Sequence, residues 1–169
     1  MKLKTAGELM IPLDKYPHLP YWFTLRQAMA EMEQSEFDVD GRKSLPRVVL
    51  VFDERYQLLG IVRRRDILRG LEPSFLSQPA DGFSDLLDQN LVGLSFDKLA
   101  EGIRDRAERL VREVMMPIRA TADHDDHVMK LIYMMVANDL HLLPVLRDGS
   151  VAGVVRTVDV FHEVAKLVL

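Results

Sequence analysis

One short pattern occurs twice in this 169-residue chain and limits what it can fold into. Gly60-Ile61-Val62-Arg63-Arg64-Arg65-Asp66 and Gly153-Val154-Val155-Arg156-Thr157-Val158-Asp159 each open as a β-branched run. Each then passes directly into an amphipathic segment, Ile67-Leu68-Arg69 or Val160-Phe161-His162. That reads as a strand feeding a helix, with an Asp in the first helical turn. Free backbone N–H groups and the positive end of the helix dipole gather at such a junction. Junctions of this kind are where α/β units bind anions.

A second pair of landmarks makes the duplication general. Glu8-Leu9-Met10-Ile11-Pro12 matches Glu113-Val114-Met115-Met116-Pro117. Pro117 lies 105 positions after Pro12, whereas Gly153 lies 93 after Gly60, so the first copy carries extra residues. Ser35 to Pro46, with Asp40-Gly41 as a turn signal, is the expected insertion. In copy one, Met10 to Pro12 is an edge strand, Thr24 caps a helix bearing Leu25, Ala28, Met29 and Met32, and Val48 to Phe52 is a strand buried on both faces. Asp53 to Tyr56 then turns the chain into an antiparallel return over Gln57 to Val62. In copy two, Ile118 to Thr121 is extended, and Asp123-His124-Asp125-Asp126 is expected to start a helix lined by Val128, Leu131, Ile132 and Met135. Leu142 to Leu146 and Val151 to Val155 form a hairpin about Asp148-Gly149. A last helix from Thr157 is expected to bury Val160, Phe161, Val164 and Leu167.

The reading is therefore an α/β (α+β) chain of two β-α-β-β-α repeats, at 1–71 and 112–169, joined by a helical linker at 72–111. In the linker, Ser77 to Gly82 reads as a loop, and Ser95 as the cap of a helix carrying Phe96, Leu99, Ile103 and Leu110. That helix is expected to pack on the two units or on a partner chain.

Composition narrows the function. Apolar content of 48% and charged content of 28% describe an ordinary globule. With 22 basic and 26 acidic residues the net charge is −4, which argues against nucleic acid or anionic membrane as a partner. There is no cysteine, no apolar run long enough to cross a bilayer and no signal-peptide core, so a cytoplasmic location is expected. No Gly-x-Ser-x-Gly elbow or phosphate-cradling Gly-rich loop ending in Lys is present, so neither enzyme activity nor a catalytic cofactor is expected.

These landmarks resemble the tandem cystathionine β-synthase (CBS) domain pair, or Bateman module. The resemblance rests on Leu9 to Pro12, Val51-Phe52-Asp53-Glu54 and Gly60 to Asp66 in copy one. In copy two it rests on Val114 to Pro117, Leu143-Pro144-Val145 and Gly153 to Asp159. It implies pseudo-two-fold symmetry, a regulatory role, a homodimer and an adenosine-containing ligand (AMP, ADP or ATP) in the cleft between repeats. In that family the junction carries Thr or Ser for a phosphate and Asp for the ribose hydroxyls. Asp66 and Asp159 match the Asp position, while Arg63 and Arg156 replace the hydroxyl. A guanidinium there either takes over the phosphate as a bidentate donor or pairs with its neighbouring Asp. Thr157 stands one place late and points elsewhere.

The candidate ligand residues are thus Asp66, Asp159, Arg63 and Arg156, with Val49, Leu142 and Leu143 against the base and His141 at the cleft. Structural alternatives stand beside them. The two Asp residues also suit a helix first turn, and Arg64 and Arg65 suit a solvated face. His141 also suits a hydrogen-bonded structural role. His124 and His127 among acidic neighbours suit a helix start better than a metal site. The methionines suit a core or dimer seam, and Trp22 and Phe23 suit a staple on the first helix. The competing function is a ligand-independent assembly module that recruits a second copy or a regulated protein.

Overall fold

The computed structural model describes residues 2–39, 41–72 and 96–169. Its elements run in chain order as helix α1 (Ala6–Leu9), strand β1 (Ile11–Pro12), a 3-10 turn (Leu13–Lys15), β2 (His18–Pro20), α2 (Leu25–Gln34), β3 (Phe37–Val39), β4 (Arg42–Ser44), β5 (Val48–Phe52), β6 (Leu58–Arg63) and α3 (Arg64–Leu71). After them come α4 (Phe96–Arg106), a 3-10 turn (Val111–Glu113), β7 (Met116–Pro117), β8 (Ala122–Asp123), α5 (Val128–Ala137), β9 (Leu142–Arg147), β10 (Ser150–Arg156) and α6 (Thr157–Val168).

Two four-stranded sheets result, in the orders β2-β5-β6-β7 and β1-β10-β9-β8. The opening strand of each repeat therefore completes the sheet of the other: Ile11 pairs with Val154, and Met116 with Ile61. Glycine makes this crossing sterically feasible. A Cβ on Gly60 would overlap the Met116 carbonyl oxygen, and one on Gly153 would overlap that of Ile11. Thus the glycine that opens each junction motif is required by the close approach of another backbone.

Period-2 alternation along the strands sorts the apolar side chains into separate cores. Val49 and Val51 of β5 face α2 and α3, in a cluster with Leu25, Val62 and Ile67. Leu143 and Val145 of β9 face α5 and α6, with Leu131 and Val160. The opposite faces, Val48, Leu50, Phe52, Leu142 and Val154, meet between the two sheets, where Ile11 and Tyr16 join them. The cores also cross the repeat boundary. Ala6 is buried in the second core, and Ala107, Val111 and Val114 are buried in the first, so the end of the linker packs on repeat one.

The hairpins form where expected. Asp148 and Gly149 take φ of 52° and 80°, as a primed two-residue turn requires. The residues inserted in copy one make the small ladder β3–β4. Other expectations fail locally. Asp123 to Asp126 do not start a helix: Ala122–Asp123 is a strand, Asp126 Oδ2 accepts the Asp123 N–H at 2.8 Å, and α5 starts at Val128 with His127 as cap. Short acidic side chains here satisfy a turn in preference to a helix. Phe161 and Leu167 are exposed on α6, because the buried stripe runs instead through Val160 and Glu163. Leu110 lies beyond the end of α4 and bridges to Thr24. Met32 and Met135 are buried, whereas Met29 and Met129 are exposed. Ser95 and the loop Ser77 to Gly82 lie outside the described residues.

Candidate functional site

Each junction motif builds the same clamp. The Asp at the third helical position accepts the backbone N–H of the Arg that caps the helix, at 2.9 Å in both copies. The capping Arg then folds over it, donating from Nε and a terminal nitrogen to the two carboxylate oxygens. This fork geometry is the strong, bidentate form of the Arg–carboxylate pair. Asp66 has a fourth donor in Arg69, at 3.1 Å, and Arg69 also reaches the Val114 carbonyl.

Burial alone pushes the Asp66 carboxyl up. The hydrogen bonds from Arg63 and the charges of Arg63 and Arg69 outweigh burial and hold it below the ordinary carboxylate range. The Asp66 hydrogen bond in turn raises the Arg63 guanidinium above its usual value. Both carboxylates are thus committed to the protein, Asp66 fully buried and Asp159 nearly so. Neither lines either of the two hollows between the sheets.

Two adjoining hollows lie between the sheets, sharing Val48, Arg63, His141 and Leu142. The smaller, about 130 Å³, is closed by Ile61, Met116 and the segment Pro117 to Ala120. The larger, about 640 Å³, is within the range of small-molecule sites and is bounded by Tyr16, Leu45, Val158 and Phe161. Five arginines also line it: Arg47, Arg63, Arg64, Arg65 and Arg156. Among the described residues no carboxylate lines it.

Of the residues expected at a ligand, Arg63, Arg156, His141 and Leu142 come together around these hollows. Asp66 and Asp159 sit behind their arginines. Val49 and Leu143 face the helices on the far side of their sheets, because they have the opposite strand parity to Val48 and Leu142. Thr157 lies at the larger hollow, where its hydroxyl donates to the Leu140 carbonyl at 3.3 Å. His141 accepts the Thr157 N–H at its carbonyl and leaves its ring exposed. Among the described residues no group of His, Asp and Glu could hold a metal ion.

Sequence reasoning missed Tyr16, Val48, Arg47 and Phe161. Tyr16 is buried, its hydroxyl donates to the Val48 carbonyl, and burial raises its pKa. Strand parity was the usable signal for Val48. Arg47, a charge set directly before an apolar run, was another.

The chain is similar in fold to several solved structures. A CBS domain-containing protein from Kribbella flavida aligns over 96% of this chain and 98% of its own, with TM-score 0.68 and 17% identity. The CBS-pair protein CBSX2 from Arabidopsis thaliana aligns over 98% and 97%, with TM-score 0.66 and 16% identity. CBSX2 in complex with AMP aligns over 98% of each chain, with TM-score 0.62 and 17% identity. No curated protein matches the sequence. The CBS domain profile matches residues 23–73 and 111–166, well over half of the chain. Two profile matches, each containing one Gly-to-Asp junction and the central hairpin of one four-stranded sheet, place the chain in the CBS domain family, as a tandem pair.

Proposed function

We propose that this CBS pair is a regulatory module that binds an adenine nucleotide (AMP, ADP or ATP) in the crevice between its repeats. The observation that carries this reading is the adjacency of two hollows, the larger joining an apolar lining to several arginines, with Arg63 on the border of both. The base sits among Val48, Ile61, Met116 and Leu142, and the phosphate meets Arg63 and Arg156. Asp66 and Asp159 act by orienting those arginines, which replaces the ribose contact implied by the family pattern. The AMP held by CBSX2, a protein of the same fold, supports an adenine nucleotide as the ligand class.

Signalling follows from unequal affinity. A ligand that contacts both repeats shifts their arrangement only if it binds one arrangement better. Helix α3 carries Arg63 at its start. Its far end is held by Arg109, which donates to the Gly70 carbonyl at 3.2 Å, so a shift at the crevice reaches the end of the linker. Calorimetric titration with AMP tests the reading. Binding, weakened about tenfold or more in Arg63→Gln, is the expected result. No binding of AMP, ADP or ATP, or an unaffected variant, overturns it.

A second reading, association with another copy, rests on α5. Met129, Tyr133 and Val136 form an exposed apolar stripe at helical spacing, 59%, 73% and 77% accessible. A homodimer through this face is compatible with ligand binding. Light scattering on the parent and on Tyr133→Glu decides it, with a parent dimer and a monomeric variant expected; a monomeric parent rules the dimer out.

A further inference from the structure

The pseudo-two-fold relation of the repeats gives the smaller hollow a mirror position, and the strand registers identify its walls. Val48 pairs with Arg63 and Leu50 with Ile61, just as Leu142 pairs with Arg156 and Pro144 with Val154. The exchanged edge strands follow the same rule, Met116 against Ile61 and Ile11 against Val154. The hollow lined by Val48, Ile61, Arg63, Met116 and Pro144 therefore has a twin among Leu142, Val154, Arg156, Ile11 and Leu50.

The twin position is already filled. Ile11, Leu50, Leu142 and Val154 share one buried cluster with Tyr16, which is only 3% exposed. The Tyr16 hydroxyl donates to the Val48 carbonyl, and the charge of the junction residue Arg156 acts on it. A flat ring between the sheets, its polar end within reach of a junction arginine, is what the nucleotide reading assigns to the base at the smaller hollow. Tyr16 is delivered by the 3-10 turn Leu13–Lys15 that follows β1, whereas the chain passes from β7 to β8 without such a turn.

We propose that Tyr16 is a built-in plug that stands in for a second nucleotide at the mirror position, so that the crevice takes one adenine nucleotide per chain. This rests on the reading above for the ligand, and adds the number of sites and the residue that sets it. A ligand at the mirror position must first expel the ring, and its apparent affinity falls with the fraction of molecules in which the ring is out. Emptying an aromatic core position lowers that fraction about a hundredfold or more.

Calorimetric titration with AMP counts the sites. The parent and Tyr16→Phe should take one AMP per chain, and Tyr16→Ala should take two. Tyr16→Val, a smaller truncation, is titrated in parallel, so that a failure of the alanine variant to fold leaves the count readable. Free p-cresol, the tyrosine side chain as a small molecule, serves as a second probe, because an emptied apolar core position binds small aromatics. It should bind each truncated variant with one equivalent more than the parent, raise the thermal midpoint of that variant, and compete with only its second AMP.

Two AMP per chain in the parent overturns the plug and leaves the nucleotide reading standing. So does a single AMP on a truncated variant that accepts p-cresol. A second AMP that p-cresol fails to displace lies elsewhere, and also overturns the plug. No nucleotide on the parent but one on the truncated variants sinks the reading of the smaller hollow and keeps the plug. No nucleotide on any of them sinks both.

Discussion

The two repeats share a motif and differ in what surrounds it. Both carry the Arg–Asp clamp at the start of their last helix, with matching backbone bonds of 2.9 Å. Repeat one, however, takes seven positions from Pro12 to Leu19, where repeat two takes five from Pro117 to Ala122. The longer path forms the 3-10 turn and delivers Tyr16 into the inter-sheet core. On the other side, Pro117 to Ala120 skirts an open hollow. The β3–β4 ladder and Arg47 also exist only in repeat one. The duplicated residues therefore make the frame, and the unduplicated ones decide which side of the crevice is filled and which is charged.

Four experiments would break or sharpen this comparison. The largest effect is expected where the repeats are most alike. Gly60→Ala and Gly153→Ala should each cost about 3 kcal/mol or more in chemical denaturation, because the obstacle is a backbone carbonyl that cannot step aside. A neutral outcome at either glycine would deny that the exchanged strand needs it. Next, Asp66→Ala should cost about 2–3 kcal/mol and Asp159→Ala about 1–2, since Asp66 loses four donors and Asp159 three. The partly exposed arginines can turn to water, which keeps both values below that of an isolated buried charge. Equal losses would erase the distinction.

Smaller still is the acid response. The folded-state pKa of Asp66 is depressed, so its contribution is present above the unfolded value, near 4, and is lost as pH falls through the folded one. Asp66→Asn should flatten the stability profile below about pH 4, and an unchanged profile would refute the clamp as its source. Smallest is Tyr16→Phe, which removes the hydroxyl from the Val48 carbonyl while keeping the ring. A loss of about 1 kcal/mol is expected in thermal unfolding, and no loss would show that the ring alone closes repeat one.

Much of the frame was legible because its signals are local. The run Val48 to Phe52 stated its burial on both faces, Asp148-Gly149 stated its turn, and Thr24 stated its cap, which accepts the Gln27 N–H at 3.2 Å. The strand exchange was not legible. Ile11–Pro12 and Met116–Pro117 are two residues each, too short for a periodic pattern, and Ile11 finds its partner at Val154, far along the chain. The candidate site was half legible for a related reason. Sequence spacing locates Asp66 and Arg63 together but does not say which of two neighbouring strand residues, Val48 or Val49, faces the crevice. That depends on where the helices pack.

The traded edge strands change what the word repeat means for this molecule. Cutting the chain between residues 73 and 95 would not yield two free-standing halves, because each fragment would carry the missing border of the other's sheet. The pair is a mutual clasp, each half lending the other a two-residue border.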